Sequence, residues 1–151
     1  MPQSLSKILV HIIFSTKGRY PFLHEIAIRE EMHAYLCGIL NKRESPALLA
    51  GGVSDHVHIL CQLSRTAGVS NLIGEAKRAS SLWIKEKRGM LSQFNWQSGY
   101  GAFSIGQSQI SSVKRYIAKQ EEHHRKMGVQ DEFRGFLKRY ELECDERYVW
   151  D

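Results

Sequence analysis

Asp55-His56-Val57-His58-Ile59-Leu60 places two histidines on either side of a β-branched residue within an apolar run. Val and Ile favour a β-strand, in which alternate side chains point to the same face. His56 and His58 should therefore share one face of a strand, while Val57 and Ile59 point into a core. Two imidazoles held on a rigid strand supply half of a divalent-metal site. The alternative interpretation is a pair of half-exposed strand histidines with no ligand role.

A second informative stretch lies downstream, Ser112-Val113-Lys114-Arg115-Tyr116-Ile117-Ala118-Lys119-Gln120-Glu121-Glu122-His123-His124. Val113 and Ile117 recur at helical spacing, and neither Pro nor Gly interrupts residues 108–127. Tyr116 and Gln120 are four residues apart, so a helix places them one above the other on one face. A phenol beside a neutral oxygen ligand suits a metal-assisted tyrosine nucleophile. The alternative is an ordinary amphipathic helix with a packed Tyr and a solvated Gln.

Taken together, the two stretches resemble one protein family, the single-tyrosine HUH transposases. This family includes the REP-associated tyrosine transposases and serves insertion sequences that move as single-stranded DNA. The resemblance is carried by the His-hydrophobic-His strand and by the Tyr-x-x-x-Gln helix with its following His-His pair. Two further segments are similar to the family's first strand and to the segment before its tyrosine helix: Val10-His11-Ile12-Ile13-Phe14-Ser15-Thr16-Lys17-Gly18-Arg19 and Trp96-Gln97-Ser98-Gly99-Tyr100-Gly101-Ala102-Phe103-Ser104. The matches run in the expected order from about Lys7 to His124.

The resemblance implies a DNA transposase with a tyrosine nucleophile. Tyr116 would attack a backbone phosphate, become joined to the 5′ end of the DNA and release a free 3′-OH. The expected DNA partner is single-stranded, with hairpins near the ends of the element. The resemblance also implies a homodimer with shared active sites, in which Tyr116 of one chain meets the strand histidines of the other.

The metal expected in such a site is Mg²⁺ or Mn²⁺, which would polarise the scissile phosphate. His56 and His58 would be two of its ligands. Gln120 is the expected third ligand, because it accompanies the tyrosine and matches the family pattern. Glu121 is the alternative, although it lies a further 100° around the helix. The adjacent pair His123-His124 is expected to face DNA or to serve the fold rather than to bind metal.

The chain has 151 residues, of which 42% are hydrophobic, and suits one domain spanning residues 1–151. It contains no apolar run of about 18 residues and no secretory signal pattern, so we expect neither a membrane span nor secretion. Its three cysteines form no CxxC pair, which suits a reducing cytoplasm and argues against a zinc ribbon. No GxxxxGK[ST] loop is present, so no nucleotide cofactor is expected.

The formal net charge is +5, from 21 Lys and Arg against 16 Asp and Glu. This modest excess favours a polyanionic partner. Five basic residues are candidates for contacts with DNA phosphates, because they follow the first strand, crowd one predicted helix or flank the tyrosine: Lys17, Arg19, Lys77, Arg78 and Arg115. The alternative for each cluster is a solvated helix face.

Strands alternate with helices along the chain, which predicts an α+β fold, an antiparallel sheet with helices packed on it. The resemblance implies the ferredoxin-like or RRM-like palm of the family. Gly51-Gly52 is expected to form a bulge or a close approach of the backbone. The predicted strands are 7–16, 47–53, 56–63 and a strand or hairpin at 94–105, and the predicted helices are 25–41, 70–87, a tyrosine helix within 108–127, and 131–142.

Three other functions fit parts of the sequence. A cleavage-inactive or domesticated nucleic-acid-binding protein derived from a transposase is the main alternative, although the tyrosine, both histidines and the glutamine are all present. A HUH replication initiator or relaxase is disfavoured, since we expect no helicase or accessory domain in so short a chain. A metal phosphoesterase is disfavoured because Leu60 stands where a third alternate histidine would be needed, and no His-x-Thr/Ser motif is present.

Overall fold

The computed structural model describes residues 2–87 and 89–150, apart from the side chain of Tyr148. Its four strands form one antiparallel sheet in the order β2-β3-β1-β4. The strands are β1 (Ile8–Ser15), β2 (Ala47–Gly52), β3 (His56–Leu63) and β4 (Gly101–Ile105). The histidine strand predicted at 56–63 is confirmed, and it lies inside the sheet between β1 and β2.

Six α-helices accompany the sheet in the described part of the chain: α1 (Ile26–Lys42), α2 (Val69–Lys85), α3 (Ile110–Ala118), α4 (Gln120–His123), α5 (Val129–Arg139) and α6 (Glu146–Val149). The order β1-α1-β2-β3-α2-β4 is the β-α-β-β-α-β arrangement of ferredoxin-like folds. The predicted α+β class, an antiparallel sheet with packed helices, is therefore confirmed. None of the helices in the described ranges combines the length and hydropathy needed to cross a membrane.

The two faces of the sheet bury different kinds of side chain. On one face, every second residue of β1 and β3 points into the main hydrophobic core. Ile12 and Ile59 are examples, and they pack there with Met32 and Leu36 of α1. On the other face a smaller cluster packs around Ile13, Phe103 and Phe136. Because side chains alternate along a strand, the histidines of β3 lie on this second face.

Two predicted elements differ from the structure. The segment 94–105 is not a continuous strand or hairpin, because only Gly101–Ile105 pairs with β1 and Trp96 makes a single bridge to Thr16. The tyrosine helix is interrupted at Lys119, whose φ of −101° and ψ of 21° leave the helical region. The interruption separates α3 from α4 and lets the side chain of Gln120 become buried under the second face.

The glycine pair at the end of β2 allows the close approach predicted for it. A Cβ atom on Gly51 would lie 2.8 Å from both Cγ2 and the carbonyl oxygen of Ile117 in α3. A Cβ atom on Gly52 would collide with the carbonyl oxygen of His56. The bulge of β2 lies elsewhere, between Ala47 and Leu49. Gly51 pairs with His58 in the sheet, so its close contact with Ile117 places the tyrosine helix directly over the histidine strand.

We expect Gly51→Ala to lower the free energy of unfolding by about 1–3 kcal/mol, because the added methyl group must push α3 away from β2. Gly74→Ala is the matched control: Gly74 is exposed on α2 with open space around it. There alanine should stabilise the helix by up to about 1 kcal/mol. Urea denaturation of both variants provides the measurement. A Gly51→Ala protein as stable as wild type would contradict the close contact.

Candidate functional site

The histidines of β3 lie on the same face of the sheet, as predicted, and neither is exposed to solvent. Each ring nitrogen Nδ1 has a partner behind it. His56 Nδ1 lies 2.7 Å from Asp55 Oδ1, and His58 Nδ1 lies 2.8 Å from Nε2 of the buried His11 on β1. Partners of this kind fix the orientation of an imidazole and leave Nε2 to face a ligand.

The tyrosine helix brings the other predicted residues to this face. Gln120 is buried, and its Oε1 lies 3.2 Å from His56 Nε2. The half-buried ring of Tyr116 lies 5.7 Å from that of His58, measured between centroids, and its hydroxyl lies 3.4 Å from His123 Nε2. The structure thus gathers the predicted nucleophile and the three predicted metal ligands into one cluster.

Glu132 of α5 was not predicted, yet it lies at the centre of this cluster. Its side chain is buried, with Oε1 at 2.9 Å from His58 Nε2 and 3.5 Å from His56 Nε2. Its Oε2 accepts a hydrogen bond from the Tyr116 hydroxyl. The one sequence signal for it is that Glu132 shares the buried side of α5 with Phe136, four residues on. A carboxylate on an otherwise apolar helix side indicates a buried partner.

His124 also lies against the cluster, and its expected role, facing DNA or serving the fold, stays a prediction. Its Nε2 lies 3.2 Å from Glu132 Oε2, but it makes no well-directed hydrogen bond to any residue that the structure describes. The ring of His124 therefore points into the cluster, toward Glu132. Glu121, the alternative third ligand, points away, because its exposed carboxylate pairs with Arg29 at 2.6 Å.

The electrostatics of the cluster follow from burial and from Glu132. Burial by itself would lower the pKa of His56, but hydrogen bonds with Asp55 and Glu132 outweigh burial and raise that pKa to about 9. Burial lowers the pKa of His58 to about 4, despite its hydrogen bond with Glu132. Burial also lowers the pKa of His11 to about 3. His58 and His11 are thus held neutral, the state in which an imidazole nitrogen can bind a metal or accept a hydrogen bond.

The pKa values of the Glu132 carboxyl and the Tyr116 hydroxyl shift in opposite directions. Burial opposes ionisation of Glu132, yet hydrogen bonds from the surrounding histidines outweigh it and hold the pKa of the carboxyl well below its usual range. Burial, reinforced by the contact with Glu132, holds the pKa of the Tyr116 hydroxyl above its usual range. At neutral pH the pair is therefore a carboxylate and a protonated phenol.

The donor set fits a divalent metal ion. One nitrogen or oxygen atom from each of His56, His58, His124 and Glu132 lies within 4.8 Å of the others. Ligand atoms at the 2.0–2.2 Å distances of a metal with nitrogen and oxygen ligands have separations of this order. The buried His124 Nε2, which has no well-directed hydrogen bond among the described residues, is the kind of atom that a metal would satisfy.

The five basic residues proposed for DNA have different surroundings. The ammonium of Lys77 lies 2.8 Å and 2.6 Å from the carbonyl oxygens of Gln97 and Gly99, and burial lowers its pKa to about 8. Lys77 therefore already holds a loop in place. Arg78 pairs with the carboxylate of Glu75 on the same helix. The other three, Lys17, Arg19 and Arg115, make no ion pair with any residue in the described ranges.

Arg115 lies next to the nucleophile, at the edge of a cavity. The cavity has a volume of about 550 Å³ and contains Tyr116 and His123 in its wall, together with three basic side chains: Arg115, Lys119 and Lys126. All three basic residues are exposed. The wall also includes the exposed Glu122, so the surface beside the tyrosine is open and carries a net positive charge.

The expected sharing of active sites between two chains stays a prediction, but Tyr116, Gln120, His56 and His58 of one chain already lie together. The short connection after β4 brings them together. The backbone N–H of Gly106 donates to Gln109 Oε1 at 2.8 Å, and α3 begins at the next residue. This capped turn and the contact of α3 with Gly51 hold the tyrosine helix on its own sheet.

Comparison with known proteins gives one family and two structural relatives. The family described as IS200-like transposases matches residues 4–120, more than half of the chain. A Deinococcus radiodurans R1 protein, provisionally classed as a transposase, has a similar structure: TM-score 0.62, 18% identity, 80% of this chain and 95% of that one covered. A REP-associated tyrosine transposase solved with a REP hairpin has a TM-score of 0.60 and 13% identity over 82% of this chain and 73% of its own. No curated protein sequence matches.

The family match covers only part of the cluster. The family match ends at Gln120, so it includes the histidines of β3 and Tyr116 but neither His124 nor Glu132. At these identities the two solved structures show the same fold and no more.

Divalent metal should bind to the cluster in the absence of any other ligand. In titration calorimetry with Mn²⁺, His56→Ala and His58→Ala should each weaken binding by at least about 100-fold. Removing a partner that only orients a ligand costs up to about 100-fold in metal affinity. These imidazoles would contact the metal directly, so their loss should cost at least as much. His33→Ala, which removes a half-buried ring on α1, the helix that packs on the other face of the sheet, is the control and should bind as wild type does. Equal Mn²⁺ affinity in all four proteins would rule out the cluster as the metal site.

Proposed function

We propose that this chain, which belongs to the IS200-like transposase family, is a DNA transposase that cuts and rejoins single strands through Tyr116. The observation that carries the proposal is the meeting of the Tyr116 hydroxyl, Gln120 and both β3 histidines on one face of the sheet. Local patterns predicted each part separately, and family membership supplies the reaction class. The cluster also lies beside an open, positively charged surface.

The reaction follows from the groups present. The hydroxyl oxygen of Tyr116 forms a bond to the phosphorus of the scissile phosphate, and the bond from phosphorus to the 3′ oxygen breaks. The 5′ end of the DNA is then joined to Tyr116 as a phosphotyrosine diester. The phenolic proton passes to a neighbouring acceptor, and the departing 3′ oxygen takes a proton from water. Because the diester replaces a diester, a later attack by a 3′-OH rejoins strands without ATP.

A divalent cation, Mg²⁺ or Mn²⁺, bound by His56, His58 and Gln120 would polarise the scissile phosphate and stabilise the charge that develops on it. Asp55 and His11 support this role from behind, since they orient the two imidazoles. Gln120 contributes a neutral oxygen at 3.2 Å from His56 Nε2. An imidazole bound to a metal is neutral and Gln120 adds no charge, so these three ligands leave the positive charge of the cation available to a phosphate.

Single-stranded DNA should reach Tyr116 through the 550 Å³ cavity beside it. Its exposed basic residues, Arg115, Lys119 and Lys126, can neutralise backbone phosphates on either side of the scissile bond. Lys17 and Arg19 remain candidates for more distant phosphates. The hairpin-bound structural relative supports hairpins at the element ends as the DNA partner, by analogy of fold. In this proposal Lys77 and Arg78 position neighbouring protein groups instead.

Covalent attachment to DNA is the experiment that tests the function. Wild-type protein incubated with labelled single-stranded DNA and Mn²⁺ should form an adduct that survives denaturing electrophoresis. Tyr116→Phe removes only the hydroxyl, so the adduct should be lost while DNA binding persists. Tyr35→Phe is the matched control, because Tyr35 stacks on Trp83 in the outer helices and should leave the adduct unchanged.

Three outcomes would count against the function. An adduct with Tyr116→Phe would mean that another residue is the nucleophile. Equal attachment to a fully paired duplex of the same sequence would contradict the single-strand specificity. No adduct from wild type with any hairpin-bearing strand would favour the cleavage-inactive DNA-binding protein.

Each chain should cut with its own residues. His56→Ala and Tyr116→Phe are mixed under conditions that let subunits exchange. The mixture should stay as inactive as either variant, because no chain then holds both the histidine and the tyrosine. A mixture of wild type with Tyr116→Phe should keep activity in proportion to the wild-type fraction. Recovery of the first mixture to about a quarter of wild type would show sites shared between chains. The homodimer itself stays a prediction that either result permits.

A further inference from the structure

The carboxylate of Glu132 contacts both halves of the cluster, the histidines and the nucleophile. We propose that Glu132 joins the two: its Oε1 is a ligand of the metal, and its Oε2 holds the Tyr116 hydroxyl in position for attack. This inference rests on the proposed function. It assigns part of the site to α5, a helix outside the segment that the family match covers.

Oε1 has the geometry of a metal ligand. It lies 2.9 Å from His58 Nε2 and 3.5 Å from His56 Nε2, the two nitrogens that face the cluster. Carboxylate oxygen is the ligand type that Mg²⁺ and Mn²⁺ prefer, and two imidazoles alone hold such ions poorly. Glu132 thus supplies the negative charge that His56, His58 and Gln120 lack.

Oε2 has the geometry of a positioning group. It accepts the hydrogen bond of the Tyr116 hydroxyl and lies 3.3 Å from Gln120 Nε2. One rigid carboxylate therefore sets the distance between the attacking oxygen and the metal-binding nitrogens. Rate depends steeply on such a distance, because a nucleophile must lie close to the phosphorus and in line with the leaving group.

The helix that carries Glu132 is firmly anchored. The ring of Phe136 packs at 5.2 Å from that of Phe103 on β4 and at 5.3 Å from that of His11, measured between centroids. The hydroxyl of Tyr140 donates to the carbonyl oxygen of Ser104 at 2.9 Å. These contacts hold the C-terminal half of α5 against the sheet, and the helix in turn fixes the position of the carboxylate one turn earlier.

A purely structural role does not explain the residue type. Burying an ionised carboxylate is costly even when it is paired, and apolar residues of similar size usually fill such places at least as well. Phe136 already provides the apolar contact of α5 on this side. A carboxylate here is therefore best explained by what its two oxygens contact.

The test compares Glu132→Gln with Asp131→Asn, which changes a neighbouring acid on the same helix. Asp131 is exposed, and among the described residues it pairs with Arg134. Two quantities are measured on the full chain: Mn²⁺ affinity by calorimetry without DNA, and the single-turnover rate of adduct formation at saturating Mn²⁺. Glu132→Gln should bind Mn²⁺ at least about tenfold more weakly. At saturating Mn²⁺ its rate should still be about 100-fold below wild type. Affinity for single-stranded DNA should stay within about twofold, since the basic residues supply it.

Two comparisons separate the roles of the two oxygens. Tyr116→Phe should bind Mn²⁺ as wild type does, because it leaves Oε1 in place. Asp131→Asn should match wild type in both measurements. Circular dichroism and thermal unfolding check that each variant is folded, and the retained DNA affinity provides a second check.

Unchanged Mn²⁺ affinity in folded Glu132→Gln would overturn the ligand role. Full recovery of the rate at high Mn²⁺ would overturn the positioning role. Faster adduct formation than wild type would overturn the proposal outright, because Glu132 would then be restraining the nucleophile. If wild type itself forms no adduct, the proposed function fails, while the Mn²⁺ measurement still decides whether Glu132 is a ligand.

Discussion

The alternation of side chains along β3 is the constraint on which the rest of the structure depends. Val57 and Ile59 are buried in the core beneath α1 and α2, so His56 and His58 must face the opposite side. A register slip of one residue would bury both imidazoles among apolar groups and expose the core residues. The pairing of β3 with β1 on one side and β2 on the other prevents such a slip. The main core thus fixes the orientation of the histidines without contacting their rings.

The second face of the sheet is held together largely by polar contacts. Its apolar cluster is small, with Ile13, Phe103 and Phe136 at its centre. Glu132, the histidines and Gln120 form a buried network around one another, and such a network fixes geometry strongly when all its members are satisfied. Close packing at Gly51 then sets the height of α3 above the strands. One face therefore supplies most of the stability, and the other supplies a site whose geometry is tightly determined.

The chemistry proposed for Tyr116 accounts for a hydroxyl that lies beside both a carboxylate and the imidazoles proposed to bind metal. The pKa of this phenol is held above its usual range by burial and by Glu132, so the free hydroxyl is a weak nucleophile. Attack then requires a proton acceptor and a polarised phosphate in the same small volume. The match of this chain to the IS200-like family ends at Gln120, and Glu132 of α5 lies against the tyrosine beyond it.

Sequence alone determined the features that depend on local periodicity. The strand of His56 and His58, the placement of Tyr116 near Gln120 and the α+β class all follow from spacings of two to four residues, and the family resemblance follows from the same motifs. Tertiary structure alone decided that Glu132 of α5 contacts the histidines, that His124 turns inward and that the cluster forms among residues of one chain. Glu132 meets His58 across 74 residues, and contacts so distant in the chain leave no periodic signal. The break at Lys119 has the same origin: helix propensity favours continuing through it, and burial of Gln120 against His56 overrides that local preference.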